Sequence, residues 1–380
     1  MKRIAVLIIL SLLTFFLLAQ DSFDDYLKQQ NQVFNQYAEE QKKAEANFYK
    51  QQDSLFIQYK EEIKKLWGEF RESSPKEWVS YNSDFTGRSQ VDFEKGQVKV
   101  NAIAAKDAEG EKQAKEALAE QLKSILKEKD ETTGKAILEN QVQAPSSDKP
   151  ITDADLDKVV EQIVNKAEKV EVKGSDGERR WEYRISLELM PDNIRKRVDI
   201  YKPMILKFCK QYVVDPKVVL AIIHTESFFN PKAYNRTGNA YGMMQIVPKY
   251  AGRTMNKKLY GKNSLPSSGT LFNPRYNLEM GIAFIAHLGN THWKRVTNKT
   301  NQYYAIICNF NGGQGSVYKA FTGKLKKIPQ EDWDKMFDDL NNLSNEEVYE
   351  ILHKKAAWAE TRHYIKKVRD RIDKYYKDIY

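Results

Sequence analysis

Cysteine is nearly missing from this chain: among 380 residues there are two, Cys209 and Cys308. So few exclude a disulfide-stapled scaffold. Both sit in apolar, helix-patterned surroundings, and the sequence leaves open whether they meet. Histidine is scarce too, with five residues (224, 287, 292, 353 and 363). None shows a metal-ligand spacing such as His-Glu-x-x-His, so no metal and no other cofactor is expected. Phosphate-cradling and nucleophile-elbow loops are also lacking, and Gly313-Gln314-Gly315-Ser316 reads as a turn. Past the amino terminus, no run approaches the ~18–20 apolar residues of a membrane span.

What is present begins at the first residue. Met1-Lys2-Arg3 precede an apolar run, Ile4 to Ala19, that turns polar at Gln20-Asp21. This is the layout of a secretory signal over residues 1–20, with a cut after Ala19. Leu17 fits a cleavage site only fairly, and an uncleaved segment would leave the protein tied to the membrane. No Cys lies near the end of the segment, which excludes a lipoprotein anchor. Losing Lys2 and Arg3 lowers the formal charge from +9 by two, to +7. A basic chain suits nucleic acid, anionic lipid or an anionic polymer. Export makes nucleic acid the poorest fit, and no nucleic-acid partner is expected. A cell-wall glycan with acidic stem peptides matches both compartment and charge.

The remainder predicts an α+β protein in three parts. Residues 21–72 form a long amphipathic helix with a repeat of eleven. Tyr26, Tyr37, Phe48 and Tyr59 make one column; Phe23, Phe34, Phe56 and Trp67 a second, broken by Glu45; Val33, Ala44, Leu55 and Leu66 a third. Eleven residues in three turns keep an apolar stripe on one side of a nearly straight helix. Such a stripe must be buried in cis or on another copy, so self-association through this helix is expected. Residues 73–190 form a small α+β domain. There Val91, Phe93, Val98, Val100 and Ala102 alternate around a Glu94-Lys95-Gly96 turn. Helices near Lys106–Glu128 and Asp153–Ala167 flank a polar linker, Lys129–Lys149, and a strand follows at Arg180–Met190. Residues 191–380 read as an all-α domain, with helices near Ile194–Tyr212, Pro216–Phe229, Pro274–Leu288, Asn301–Phe310 and Ala356–Tyr376 and a long Gly261–Phe272 loop.

One acid stands out. Helical periodicity puts Glu226 on the face of Val219, Ile222 and Ile223. A carboxylate there is costly in its charged form, so its pKa should rise, as a general acid for glycosidic cleavage requires. On this stretch alone, a structural Glu neutralised by a distant Arg or Lys fits equally well. Asn230-Pro231 predicts a helix stop one turn later, leaving the carboxyl within reach of substrate. Downstream, Gly242 allows close backbone approach, Gln245 can bond acetamido or hydroxyl groups, and Met244 can pack on a sugar ring. Phe310-Asn311-Gly312-Gly313 again sets an aromatic and an amide beside glycines.

Five motifs occur in a fixed order: Glu226-Ser227, Gly242-Met243-Met244-Gln245, Asn273-Pro274 with Asn277 and Gly281, Phe310-Asn311-Gly312-Gly313, and Glu360-Thr361-Arg362-His363-Tyr364. Over Pro191–Lys374 they resemble the soluble-lytic-transglycosylase family, which has a goose-type lysozyme-like fold. Trp67-Gly68, the Arg88–Gly96 hairpin and Leu187–Asn193 extend the resemblance toward the membrane-bound lytic murein transglycosylase C group. It implies a catalytic domain in which Glu226 is a single acid and base. The acid would protonate the bond between N-acetylmuramic acid and N-acetylglucosamine, then act as base on the muramyl 6-hydroxyl, giving a 1,6-anhydro sugar. The substrate supplies the nucleophile, so no second carboxylate is needed. The resemblance further implies that Ser227, Met244, Gln245, Asn311 and Tyr364 bind the glycan, with Phe310 and Glu360 as positioning residues. Exported, such a protein would work on peptidoglycan strands in the periplasm of a Gram-negative bacterium.

The chain departs from that pattern at Phe310, where the family has Tyr, and at Met243, where it has Leu. The lipoprotein Cys is missing, and the long helix has no recognised counterpart in the family. Two rivals are a lysozyme-type hydrolase, using Glu360 or an acid within Asp332–Asp339 to activate water, and a non-catalytic wall-binding protein. Glu226, Gln245 and Tyr364 together argue against the second.

Overall fold

The computed structural model describes residues 2–378, apart from the side chains of residues 2–24 and of positions 38, 41, 42, 44–46, 48, 49 and 52. The side chains of the apolar run Ile4–Ala19 and of the repeat members Phe23, Ala44 and Phe48 therefore lie outside the described residues. Helix α1 runs unbroken from Lys2 to Trp67. With no Pro or Gly on the way, it ends where Gly68 turns left-handed, φ +73°. There a Cβ would overlap the Lys173 carbonyl oxygen. The chain divides into two compact units, Met1–Lys65 and Leu66–Tyr380, ahead of the boundary expected after residue 72. In the first unit Tyr26, Val33, Phe34, Tyr37 and Leu55 of the stripe are exposed on the helix. Among the described residues no helix is long and apolar enough to cross a membrane.

The second unit opens with strands β1 (Glu77–Tyr81), β2 (Gly87–Asp92) and β3 (Gln97–Ala104), then helices α2 (Ala108–Lys127) and α3 (Leu156–Val164), then strands β4 (Glu168–Lys173) and β5 (Arg179–Glu188). The five strands form one antiparallel sheet in the order β1-β2-β3-β5-β4. The β2–β3 hairpin is the expected one: the Asp92 carboxylate accepts from Glu94 N and Lys95 N, and Gly96 adopts φ +72°. Alternation puts Val91, Val98, Val100, Ile185 and Leu187 on one face, in a core with Leu118 and Leu122 of α2. Strand β4 was not foreseen, and the helix before it is shorter than 153–167. The 129–149 stretch is no free linker. Ile137, Leu138 and Val142 are buried, and isolated bridges tie Lys129 to Ala136, Gln143 to Pro150 and Val142 to Leu189.

The helical half follows with α4 (Asn193–Tyr212), α5 (Pro216–Ser227), a two-stranded ribbon β6 (Tyr234–Asn235) and β7 (Ala240–Tyr241), and then α6 (Arg253–Tyr260) and α7 (Ser268–Phe272). It continues with α8 (Pro274–Thr291), α9 (Lys299–Gly312), α10 (Gln314–Thr322), α11 (Gln330–Asn342), α12 (Asn345–Lys355) and α13 (Ala359–Arg371). The five helices expected here all form, although π-type turns stand at 248–252 and 372–376. Helix α7 occupies the end of the predicted 261–272 loop, and α6, α10, α11 and α12 went unread. The architecture is the expected α+β. Cys209 and Cys308 are both free and buried, and burial pushes each thiol up to about 12.

Candidate active site

Helix α5 starts on a standard cap, with the Asp215 carboxylate accepting from Lys217 N at 2.8 Å and Pro216 in the first turn. Val219, Ile222 and Ile223 are fully buried, as the face of Glu226 requires. Between Val218 and Ser227 every residue is buried except Glu226, which is half-buried. Its carboxyl is enclosed deeply enough to lose most of its hydration. The helix stops at Phe228, earlier than Asn230-Pro231 suggests. Phe228 and Phe229 are both left-handed, φ 54° and 61°, which is uncommon for residues with a Cβ.

Burial raises the Glu226 carboxyl to about 7. The Glu360 charge pushes the same way. The Tyr364 hydroxyl, which donates to Glu226 Oε1 at 2.7 Å, opposes it, as do the charges of Lys76 and Arg371. Tyr364 is itself buried, and its phenol is held well above its ordinary pKa, so it stays a neutral donor. His224, two residues before the acid, is pushed down to about 3 by burial and the cations Arg371, Arg197, Lys76 and Lys374. It is neutral at working pH.

The loop facing α5 is fixed from below by Asn277 of α8. Its side chain donates to the Tyr241 and Leu271 carbonyls, at 2.8 Å each, and accepts from Met244 N at 2.8 Å. Gly242, at φ +70°, fits only as glycine, because a Cβ would overlap the Leu271 carbonyl and the Asn277 amide. Ser227 is fully buried, donating to the Met243 carbonyl at 2.8 Å, and so latches α5 to this loop. Met244 is fully buried against Gly281, which has no room for a Cβ. Neither side chain reaches solvent. Gln245 is partly exposed and left-handed (φ 47°), and donates to the Gly242 carbonyl at 2.9 Å. Its Oε1 is buried with no hydrogen-bond partner.

At the end of α9, Asn311 accepts from Thr361 Oγ1 at 2.7 Å and donates to Glu360 at 3.4 Å. Gly312 has no room for a Cβ beside Thr361 and Ser316. Phe310 is half-buried with Phe284, ring centroids 6.1 Å apart, and Glu360 is exposed. Hydrogen bonds and charge thus link Glu226 with Tyr364 and Glu360, Glu360 with Asn311, and Ser227 with the loop that carries Met244 and Gln245. Lys76, Arg371, Thr361 and Phe228 were not read from the sequence as site residues. A cavity of about 950 Å³, lined by Cys209, Val213, Ile285 and Tyr303 among others, contains none of the site residues. Among the described residues no group of His, Cys, Asp and Glu is placed to hold a metal.

Two family profiles match. "Transglycosylase SLT domain" covers residues 203–332, and "Membrane-bound lytic murein transglycosylase C, N-terminal domain" covers 28–169. The second takes in most of α1, against the expectation that this helix has no counterpart in the family. Membrane-bound lytic murein transglycosylase C of Cronobacter sakazakii is 30% identical over 308 residues, 77% of this chain and 80% of that protein. The protein of the same name from Photorhabdus laumondii is 37% identical over 184 residues, and that match spans about half of each chain, 48% and 49%. Among solved structures, the 70 kDa soluble lytic transglycosylase of Escherichia coli aligns with a TM-score of 0.35 at 21% identity, over 50% of this chain and 26% of that one.

Proposed function

The chain belongs to the membrane-bound lytic murein transglycosylase C family, and we propose that it is a peptidoglycan lytic transglycosylase with Glu226 as its single acid and base. The observation that carries this reading is a carboxyl held at about 7 by burial on an apolar helix, with the Tyr364 hydroxyl donating to it. Protonated Glu226 gives its proton to the glycosidic oxygen as the bond from the muramyl C1 breaks. The carboxylate left behind takes the proton of the muramyl 6-hydroxyl as that oxygen bonds to C1. The acid is restored, no water is consumed, and the product ends in a 1,6-anhydro ring. A pKa near the working pH suits a group that must both give and take a proton. Tyr364 orients the carboxyl and steadies its charged form between the two steps.

In this reading the unpaired Gln245 oxygen accepts from an acetamido N–H, and Asn311 also bonds the glycan. Ser227 and Met244 serve from beneath, holding the loop, and Phe310 and Glu360 position. The enzyme works in the periplasm in association with the membrane, remodelling or turning over wall. Copies meet through the exposed stripe of α1.

Mass analysis of digested sacculi tests the reaction, since anhydro and reducing products differ by one water. Anhydromuramyl ends are expected. Reducing ends as the main product would overturn the reading in favour of a hydrolase with Glu360 as second carboxylate. Glu226→Gln, nearly isosteric but unable to act as the acid, should remove at least two orders of magnitude of activity with fold and glycan binding retained. More than about a tenth of normal turnover in that variant would sink the assignment.

A further inference from the structure

The residues just past Glu226 are held by the α+β half of the same unit. Phe228 belongs to the sheet's hydrophobic core, and the Asn230 amide donates to the Pro75 carbonyl at 3.2 Å. The strongest tie is Arg197 of α4, which is fully buried. Its Nε donates to the Phe228 carbonyl at 3.0 Å, Nη1 to Gln141 Oε1 at 2.9 Å and Nη2 to Asn193 Oδ1 at 2.8 Å. The guanidinium also lies 4.7 Å from the centre of the Phe93 ring, at the end of β2. Gln141 is equally buried and fixed, donating to the Ile137 carbonyl at 2.8 Å while its own carbonyl accepts from Met190 N at 2.7 Å.

Among the described residues no carboxylate pairs with Arg197. The side chain therefore serves geometry, not charge balance. Three divergent N–H groups fix one carbonyl, an amide of the other half and a residue of its own helix, which only a planar fork can do. That carbonyl belongs to the left-handed residue that ends α5, two positions after Glu226. A left-handed pair of phenylalanines holds only where its surroundings over-determine it. We propose that Arg197 is a positioning residue for Glu226, clamping the end of α5 to the α+β half and so fixing where the carboxyl stands. The inference rests on Glu226 being the catalytic acid.

Full-length Arg197→Met, Arg197→Lys and Gln141→Leu test it, with kcat, KM and the pH–rate profile measured beside circular dichroism. Arg197→Met should lower kcat by roughly tenfold to a hundredfold, the cost of an ångström-scale misplacement, with KM little changed. Its descending pH limb should also move, because the carboxyl's surroundings change. Lysine keeps the charge but not the fork, so it should recover only part of the rate. Gln141→Leu, which removes only the partner in the α+β half, should give a smaller loss of the same kind. A merely structural arginine would lower thermal stability and leave kcat and the pH limb alone, and that result overturns the proposal. Should Arg197→Met fail to fold, Gln141→Leu decides: folded with normal kcat and pH limb, it overturns the proposal equally. An active Glu226→Gln would instead remove the premise, whatever the arginine variants do.

Discussion

At the scale of single residues, Glu226 holds its proton near neutral pH because enclosure outweighs two cations and a phenol. Turnover that starts from the protonated acid should fall as pH rises through about 7. Two neighbours should move that limb in opposite directions. The Tyr364 hydroxyl favours the carboxylate, so Tyr364→Phe raises the pKa and shifts the limb to higher pH, with a lower maximum rate. Glu360 repels the carboxylate, so Glu360→Gln shifts the limb to lower pH. Profiles of kcat/KM for both variants check this, and limbs moving the same way would break the account. Glu226 itself was legible because one helix carries both the acid and the apolar face that raises it. Lys76 and Arg371 were not, because their effect depends on segments far apart in sequence meeting around Phe228.

Among elements, those with a strong period were read well. The 87–104 hairpin, the strand at 179–188 and the helices α4, α5, α8 and α9 follow from alternation, caps and Pro or Gly stops. The 129–149 stretch misled because its apolar residues are few and aperiodic, while the turns among them bury Ile137, Leu138 and Val142. Its Asp130 carboxylate accepts from Thr132 N and Thr133 N, a side-chain turn that mimics a polar linker in composition. Helix α5 ended early because backbone geometry at Phe228, not the proline after it, closes the last turn. Met244 suggests a sugar contact by its type and Ser227 only through the family resemblance; packing reveals that neither side chain is open to solvent.

For the whole molecule, the division at Lys65/Leu66 is the place to test cleavage apart from the proposed self-association. A cut at Ser73 would remove Trp67, which is buried, donates to the Phe85 carbonyl at 2.6 Å and covers the Arg88 guanidinium. A protein beginning at Leu66 should fold and release anhydro-muropeptides undiminished. It should also scatter light as a monomer, whereas the chain that retains α1, with Tyr26, Phe34, Tyr37 and Leu55 exposed, should form larger species. Equal masses for the two would leave the stripe without its supposed partner. A truncated protein that folds but does not cut would mean that the long helix shapes the cleft.

The two enclosed thiols set a condition on how the chain reaches its folded state. In an oxidising compartment, thiols at about 12 inside a packed core have almost no thiolate to offer an oxidant. The unfolded chain has no such shelter, and a bond made there between Cys209 and Cys308 would lock in a pairing that the finished core does not contain. Folding of the helical half must therefore outrun oxidation. Refolding in an oxidising glutathione buffer should yield a trapped fraction that reductant rescues, and Cys308→Ala should abolish that fraction; equal recovery with and without reductant would count against the race.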